Sequence, residues 1–498
     1  MIHKIKYYIL LAVISLGAAS CLDKFPDGDG IPQERGMQSL SDADQRLTGI
    51  YAGFKNSALY SGLLTILPDI QTDLVYGVEG YSNTYGAFWR WEILPTNTEV
   101  TSVYAALYNI IGSCNLFLDD VEGLREKLID DDELDELLNI EGQVHFARAL
   151  CYSELIKLFC KAYDPATAEK ELGMAMITSY KNPEKRVRAN LKDSYAFVLK
   201  DLKKAEEQIT NESKEFMSYF TQTAVNALYA RIYLYMQDWD KAIEYATNTI
   251  EDDYLYLAST NSLATSTQSI YKYMWTNDNS TEIIWRVGFT PTSYGGALGR
   301  VFLNYNYISY TPDYVVATWA YNLYSTNDQR RAAFFRNTTT GYSHRLTWPL
   351  LIKYEGNESF RSGYNILHVN MPKVFRMSEQ YLIRAEAYCQ KKEYTKAAKD
   401  ITTLRTARYT TYTSTSLTAD NWLEEISKER VRELYMEGFR LQDLKRWHKG
   451  FERTPQQNSI KEGSSLKIEA DDPLFVWPIP QHEINSPDAD IKPNESNK

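Results

Sequence analysis

The chain has 498 residues, of which 44% are hydrophobic and 24% charged, and it carries a formal net charge of −11. Nucleic acid is excluded as an expected ligand, because phosphate binding wants a basic field. Polyanions in general are disfavoured too, unless a local basic patch overrides the average. The length allows a large core and more than one subdomain.

The first elements are at the N-terminus. His3, Lys4 and Lys6 precede the apolar run Tyr7–Leu16, which is followed by Gly17, Ala18, Ala19, Ser20 and Cys21. A basic start, a short greasy middle and a small-residue cleavage site predict a signal peptide over residues 1–20. The run is too short to be a permanent span, and nothing after it reads as one. Cys21 stands where the mature chain would begin, which resembles a bacterial lipoprotein signal, although Ala18 stands where such signals usually carry Leu. Acyl chains there, at about 0.8 kcal/mol per buried methylene, would fix a soluble domain to a membrane. The alternative is a secreted protein cleaved near Ala19. Residues 21–37 hold Asp23, Pro26, Asp27, Gly28, Asp29, Gly30 and Pro32 and read as a tether.

Residues 38–253 carry helical patterning. Leu137, Ile140, Val144, Cys151, Leu155 and Leu158 mark one helix face, and Tyr195, Val198, Leu199, Leu202 and Ala205 another, with Asp193 as its expected cap. Ala230, Tyr233, Trp239, Lys241 and Ala242 repeat as Ala385, Tyr388, Tyr394, Lys396 and Ala397. That spacing is the tetratricopeptide helix pair. Small residues let two helices approach, and short turns are expected at Gln237-Asp238 and Lys392-Glu393.

From 254 to 372 the helical period fades and Asn, Ser, Thr, Tyr and Gly rise. Glu282–Val287 reads as a short strand in a loop-rich insertion, and long ordered loops on a helical scaffold commonly carry function. Residues 373–498 return to helices and end in the tail Trp477-Pro478-Ile479-Pro480, which its prolines keep extended. Along the charge-dense stretch Glu429–Arg446, the pairs Arg430/Glu433, Glu437/Arg440 and Arg440/Asp443 predict an ion-pair network on one helix face. Cys114, Cys151, Cys160 and Cys389 fit no metal or disulfide-scaffold spacing and read as buried thiols, with a single disulfide left open.

In order and spacing, several blocks resemble the SusD/RagB family of Bacteroidetes outer-membrane lipoproteins. They are Arg376–Ala387 with Leu404–Arg408, the positions Glu429-Arg430, Glu433-Leu434, Glu437-Gly438, Arg440, Asp443-Leu444 and Arg446, and the tail with Glu483, Ile484 and Pro487. The resemblance implies a mostly α fold, with tetratricopeptide-like helix pairs cradling an irregular ligand-binding half. It implies capture of glycans, or of peptides in some members, at the cell surface as a lid on a SusC-like TonB-dependent transporter.

No HExxH, GxSxG or phosphate-loop motif is present, so an enzyme is not expected. A surface glycosidase, built from two converging acids among 65 Asp and Glu, is the less favoured reading. A pure scaffold contacting the transporter is a further alternative. No cofactor is expected, with calcium left open because backbone carbonyls could hold it without a sequence trace. The 38 tyrosines, against 18 Phe and 10 Trp, point to wet, amphipathic ligands. Flat rings stack on pyranose faces while polar groups meet hydroxyls. The candidate glycan-binding residues are Asp73, Tyr76, Tyr81 and Tyr85, interleaved with glycines, then Trp89, and finally Tyr294, Tyr305 and Tyr307. Trp89 and Trp91 flank Arg90, and their alternation predicts one ring inward and one outward, with Trp91 the core residue.

Overall fold

The computed structural model describes residues 36–182, 184–211 and 217–497. The signal segment, Cys21 and nearly all of the tether lie outside them. The principal helices are α1 (Leu40–Gly53), α2 (Leu63–Ile70), α3 (Thr98–Arg125), α4 (Asp131–Phe159), α5 (Leu191–Gln208), α6 (Gln222–Tyr235), α7 (Trp239–Ile250), α8 (Met377–Gln390), α9 (Tyr394–Thr406), α10 (Trp422–Glu433) and α11 (Arg440–Arg446).

Capping explains several starts. Asp130 accepts from the N–H groups of Asp132 and Glu133, and three further acids sit in the first turn of α4, where the helix dipole favours them. For α5 the cap is Asn190, not Asp193. Asn190 accepts from the Asp193 N–H, and its amide donates back to the Asp193 carboxylate at 2.8 Å. Asp193 therefore sits three residues inside the cap and assists it. Helix α3 is long and apolar enough to cross a bilayer, yet it packs against α1 and α4 with one face buried.

The two repeated segments form helix pairs α6–α7 and α8–α9, joined by tight turns at Gln237 (φ 61°) and Lys392 (φ 63°). Ala230, Ala242, Ala385 and Ala397 are completely buried at the close approaches. Helix α7 also packs on α8, so segments distant in sequence become neighbours and share the cluster Ala230, Leu234, Ala246, Ile383 and Ala387.

Residues 254–372 are more ordered than their composition suggests. Short antiparallel strands pair Val75–Gly77 with Tyr314–Val316, Ile283–Arg286 with Lys373–Arg376, and Phe335–Thr339 with Thr347–Leu351. They enclose a second core of Trp89, Tyr271, Trp275, Phe302, Tyr314, Phe334 and Tyr354, separate from the main helical core. A buried ion network ties this half to the C-terminal helices. Arg376 meets Glu282, Glu433 and Glu437; Arg408 meets Glu282 and Glu433; Arg330 meets Asp328, Glu429 and Glu433.

That network corrects the expected i,i+3 pairing. The chain leaves helix after Glu433 and passes through Met436 (φ 57°) and Gly438 (φ 84°) before α11 begins. A side chain at Gly438 would come within about 3 Å of the Thr65 carbonyl oxygen. The charges therefore turn to partners on other elements: Arg430 to Asp443, Glu437 to Lys353 and Arg440 to Asp73. The extended tail is pinned to the helical body. Trp477 and Ile479 are buried, and Trp477 donates its backbone N–H to Leu158 and its indole N–H to Gln71. Cys114, Cys151, Cys160 and Cys389 are buried free thiols.

Candidate ligand-binding face

The face is built around residues 304–311. A short helix, Arg300–Leu303, ends at Asn304 (φ 40°), and Tyr305 then bridges back to Tyr310. The Asn306 side chain closes the turn by accepting from the N–H groups of Ile308 and Ser309. Tyr305 and Tyr310 stack with centroids 4.4 Å apart and planes 22° apart, and Tyr307 stands 5.9 Å from Tyr305 at 51°. Tyr307 is 59% exposed and donates its hydroxyl proton to the Asn365 carbonyl. Beside it, Ile308 is 89% and Tyr364 61% exposed. Such a group of exposed rings is uncommon unless something binds there.

Polar groups fix the rings from behind. Arg336 donates to the Tyr310 hydroxyl (3.0 Å) and to Glu355 (2.8 Å), and Arg361 approaches Glu355 at 3.6 Å. The Tyr305 N–H donates to His368 Nε2. Burial pushes His368 down to about 4, so its ring stays neutral and able to accept. The hairpin loop after Thr339 closes the flank, with the Gly341 N–H donating to the Tyr310 carbonyl. A Cβ at Gly341 would collide with Ser309 at 2.7 Å, so the close approach needs glycine.

The loop after Glu79 joins this face through Asp313. Ser82 donates to Asp313 from both N–H and hydroxyl, and Tyr314 donates its hydroxyl to the Thr84 carbonyl. Tyr342 lies against Gly80 and donates to the Pro312 carbonyl, bridging that loop and the Tyr305–Tyr310 turn. Tyr81 is part-exposed and shares Asn83 and Arg90 in a hydrogen-bonded triangle.

The structure thus groups Tyr305 and Tyr307, sets Tyr81 on a loop joined to them through Asp313 and Tyr342, and separates the other candidates. Asp73 is corrected to a structural role, since both its oxygens accept from Arg440 at about 3 Å. Tyr76 is corrected to core: it is 7% exposed on a strand opposite Val315. Trp89 is corrected likewise. It is fully buried, donates to the Glu462 carbonyl and lies under the Arg453 guanidinium at 3.5 Å. Both Trp89 and Trp91 point inward because Gly86–Trp89 is a helical turn and Trp91 has φ 58°, so strand alternation does not apply. Tyr85 is half-buried against both cores. Tyr294 is 45% exposed beside Lys55 and Ser61 and makes no ring contact among the described residues.

The sequence reading missed Tyr310, Tyr342, Tyr364 and Arg336. Tyr310 was within reach, three residues past Tyr307 in the same Asn/Tyr run. A cavity of about 850 Å³ lies elsewhere, between α3, residues 175–180 and 184–186, and the tail near Glu483. The tyrosine face is an open ledge on the surface.

Two family models match consecutive parts of the chain. One, described as starch-binding associating with outer membrane, matches residues 22–234, and the SusD family model matches 267–494. A SusD-like protein P25 of Formosa agariphila is 23% identical, covering 89% of this chain and 90% of that protein. Among solved structures, a SusD superfamily protein of Bacteroides thetaiotaomicron superposes with a TM-score of 0.79 at 22% identity, covering 92% of this chain and 99% of that one. A SusD-like carbohydrate binding protein of Bacteroides vulgatus gives a TM-score of 0.73 at 19% identity, over 91% and 98%. These likenesses show the fold, and the two family matches span nearly everything from the tether to the tail: the chain belongs to the SusD/RagB family.

Proposed function

We propose that this protein captures oligosaccharides at the bacterial surface and passes them, uncleaved, to a SusC-like TonB-dependent outer-membrane transporter. The carrying observation is the Tyr305–Tyr310 stack with Tyr307 exposed beside it. A pre-stacked ring loses little freedom on binding, and its face attracts the polarised C–H bonds of a pyranose. The description of the matching family, starch-binding associating with outer membrane, and the carbohydrate-binding name of a structural neighbour support this reading.

Affinity per sugar is modest, because each hydroxyl exchanges water for protein at a net gain of about 1 kcal/mol. Several sugars must therefore lie along the ledge together. Glu355, the carboxylate behind the rings, is engaged by Arg336 and Arg361, an arrangement suited to holding the ledge rather than to acid–base work on a ligand. The reading calls on no cofactor. Attachment to the outer membrane runs through lipidated Cys21, and the family match begins at the next residue.

Affinity electrophoresis against a polysaccharide panel tests the reading. Retardation by at least one glycan, lost in a Tyr305→Ala/Tyr307→Ala variant, is expected. Binding of peptides with no glycan retarded would replace it with the peptide-binding reading, and new reducing ends released from an oligosaccharide would replace it with the glycosidase reading.

A further inference from the structure

We infer that the ledge selects acidic glycans, those bearing a carboxylate or sulfate on the sugar rings; this rests on the carbohydrate reading above. The chain as a whole is anionic at −11, which makes the local balance of charge informative. Beside the stacked rings two guanidinium groups share one carboxylate, and a third arginine opens the short helix that leads into Tyr305. Arg336 touches the Tyr310 hydroxyl and both oxygens of Glu355, and Arg361 approaches the same carboxylate at 3.6 Å. One acid thus serves two arginines.

Arg300 is the third. It opens the short helix that delivers Asn304 and Tyr305, and the Gly299 N–H before it donates to the His368 carbonyl, so its backbone is fixed beside the ring that receives Tyr305. The Arg300 side chain is exposed and makes no hydrogen bond or ion pair among the described residues. Its charge acts on both His368 and Tyr85.

Among the other acids near the face, Glu462 acts on the Tyr81 side. Asp313 is buried and accepts twice from Ser82, Glu99 acts on the Tyr85 side, and Glu358 is exposed at the start of the helix that carries Arg361. At the Tyr305–Tyr310 end the balance stays positive. An exposed guanidinium beside aromatic rings offers a flat pair of donors matched to a carboxylate or sulfate. A neutral sugar would gain less from the same group and would still displace its water.

The test is calorimetric titration of the purified protein. The probes are polygalacturonate, alginate and glucuronoxylan fragments, each beside its carboxyl-reduced form, and chondroitin sulfate and carrageenan fragments, each beside its desulfated form. At least one acidic probe is expected to bind about tenfold or more tightly than its neutralised counterpart, the equivalent of one charge-assisted contact. The paired arms tell carboxylate from sulfate. R300Q should weaken the acidic probe about fivefold or more without moving the neutralised one, R300K should restore part of the loss, and salt raised from about 0.05 M to 0.5 M should weaken the acidic probe alone. Because Arg300 has no hydrogen-bond or ion-pair partner among the described residues, its replacement leaves the fold intact, which thermal melting checks. Equal affinity for acidic and neutralised forms, or an unaltered R300Q titration, overturns the acidic preference and leaves glycan capture standing. Failure of every probe, acidic and neutral, overturns both.

Discussion

Glu433→Gln is the substitution that best probes how the ledge-bearing half is held. Glu433 is fully buried and accepts from Arg330 (3.0 Å), Arg376 (2.9 Å) and Arg408 (2.9 Å and 3.0 Å). The glutamine keeps the shape and one acceptor but removes the charge. The three arginines are not abandoned, since Arg330 keeps Asp328 and Glu429, Arg376 keeps Glu282 and Glu437, and Arg408 keeps Glu282. The loss therefore falls below the sum of its contacts and should match a broken buried pair, about 3–5 kcal/mol. Urea unfolding at pH 7 followed by tryptophan fluorescence measures it, with Trp275, whose ring lies under Arg376 and Lys353, as a reporter beside the network. The sign with pH follows from the same arginines. They hold the Glu433 and Glu429 carboxyls well below the ordinary value of 4.5, so this stabilisation is complete above that pH and drains as pH falls below it. The gap between wild type and E433Q should narrow on acidification. A variant within about 1 kcal/mol of wild type at pH 7, the range of a surface pair, would refute the reasoning.

Three further outcomes are expected. Asp69 is buried under the Gly438 and Arg440 N–H groups, and burial pushes its carboxyl up from 3.8 to about 7. Its contribution is then present below pH 3.8 and lost as pH rises through 7, so Asp69→Asn should flatten the stability curve between those values by a few kcal/mol; an unchanged slope would exclude the shift. Trp89→Ala should cost about 3–5 kcal/mol in unfolding free energy, as for a large core truncation, and a loss of glycan binding with unaltered stability would return Trp89 to the ligand face. Cys21→Ala should move the chain from the membrane pellet to the soluble fraction on cell lysis, and continued sedimentation with membranes would remove the lipid anchor from the account.

The helical half was legible because its signals are local. Small residues at Ala230, Ala242, Ala385 and Ala397 mark helix contacts wherever the pairs end up, and the two prolines of the tail permit only an extended chain. What was not legible depended on distant partners. Asp73 stands in a run that looks ligand-facing, but its arginine lies 367 residues later. The alternation at Trp89 and Trp91 informs only on a strand, and the backbone there turns helical and then left-handed. Likewise the i,i+3 spacing of Glu437 and Arg440 is real, yet the chain is out of helix between Glu433 and Arg440 and sends these charges to Lys353 and Asp73. The tyrosine ledge was half legible. Composition pointed to the Asn304–Tyr307 run, but nothing in sequence shows that Arg336 and Glu355 would buttress Tyr310.

The network and the ledge are physically continuous, and on the proposed reading this bears on how an open face would hold sugars that each bind weakly. Glu355 follows Lys353 and Tyr354, both buried. Lys353 donates to the Tyr435 carbonyl and Glu437, and Tyr354 donates to the Met436 carbonyl. The carboxylate that orients Arg336, and through it the Tyr310 hydroxyl, is thus one residue beyond a segment locked into the ion network. Exposed rings on a long loop would otherwise lose about 0.5–1.5 kcal/mol of side-chain freedom each on binding, comparable with what a single sugar contact returns. Rings held before the ligand arrives avoid that loss. The buried charges, which are weak evidence for stability when viewed alone, would gain a purpose on that reading: they fix the register between the helical body and a loop that serves best when it does not move.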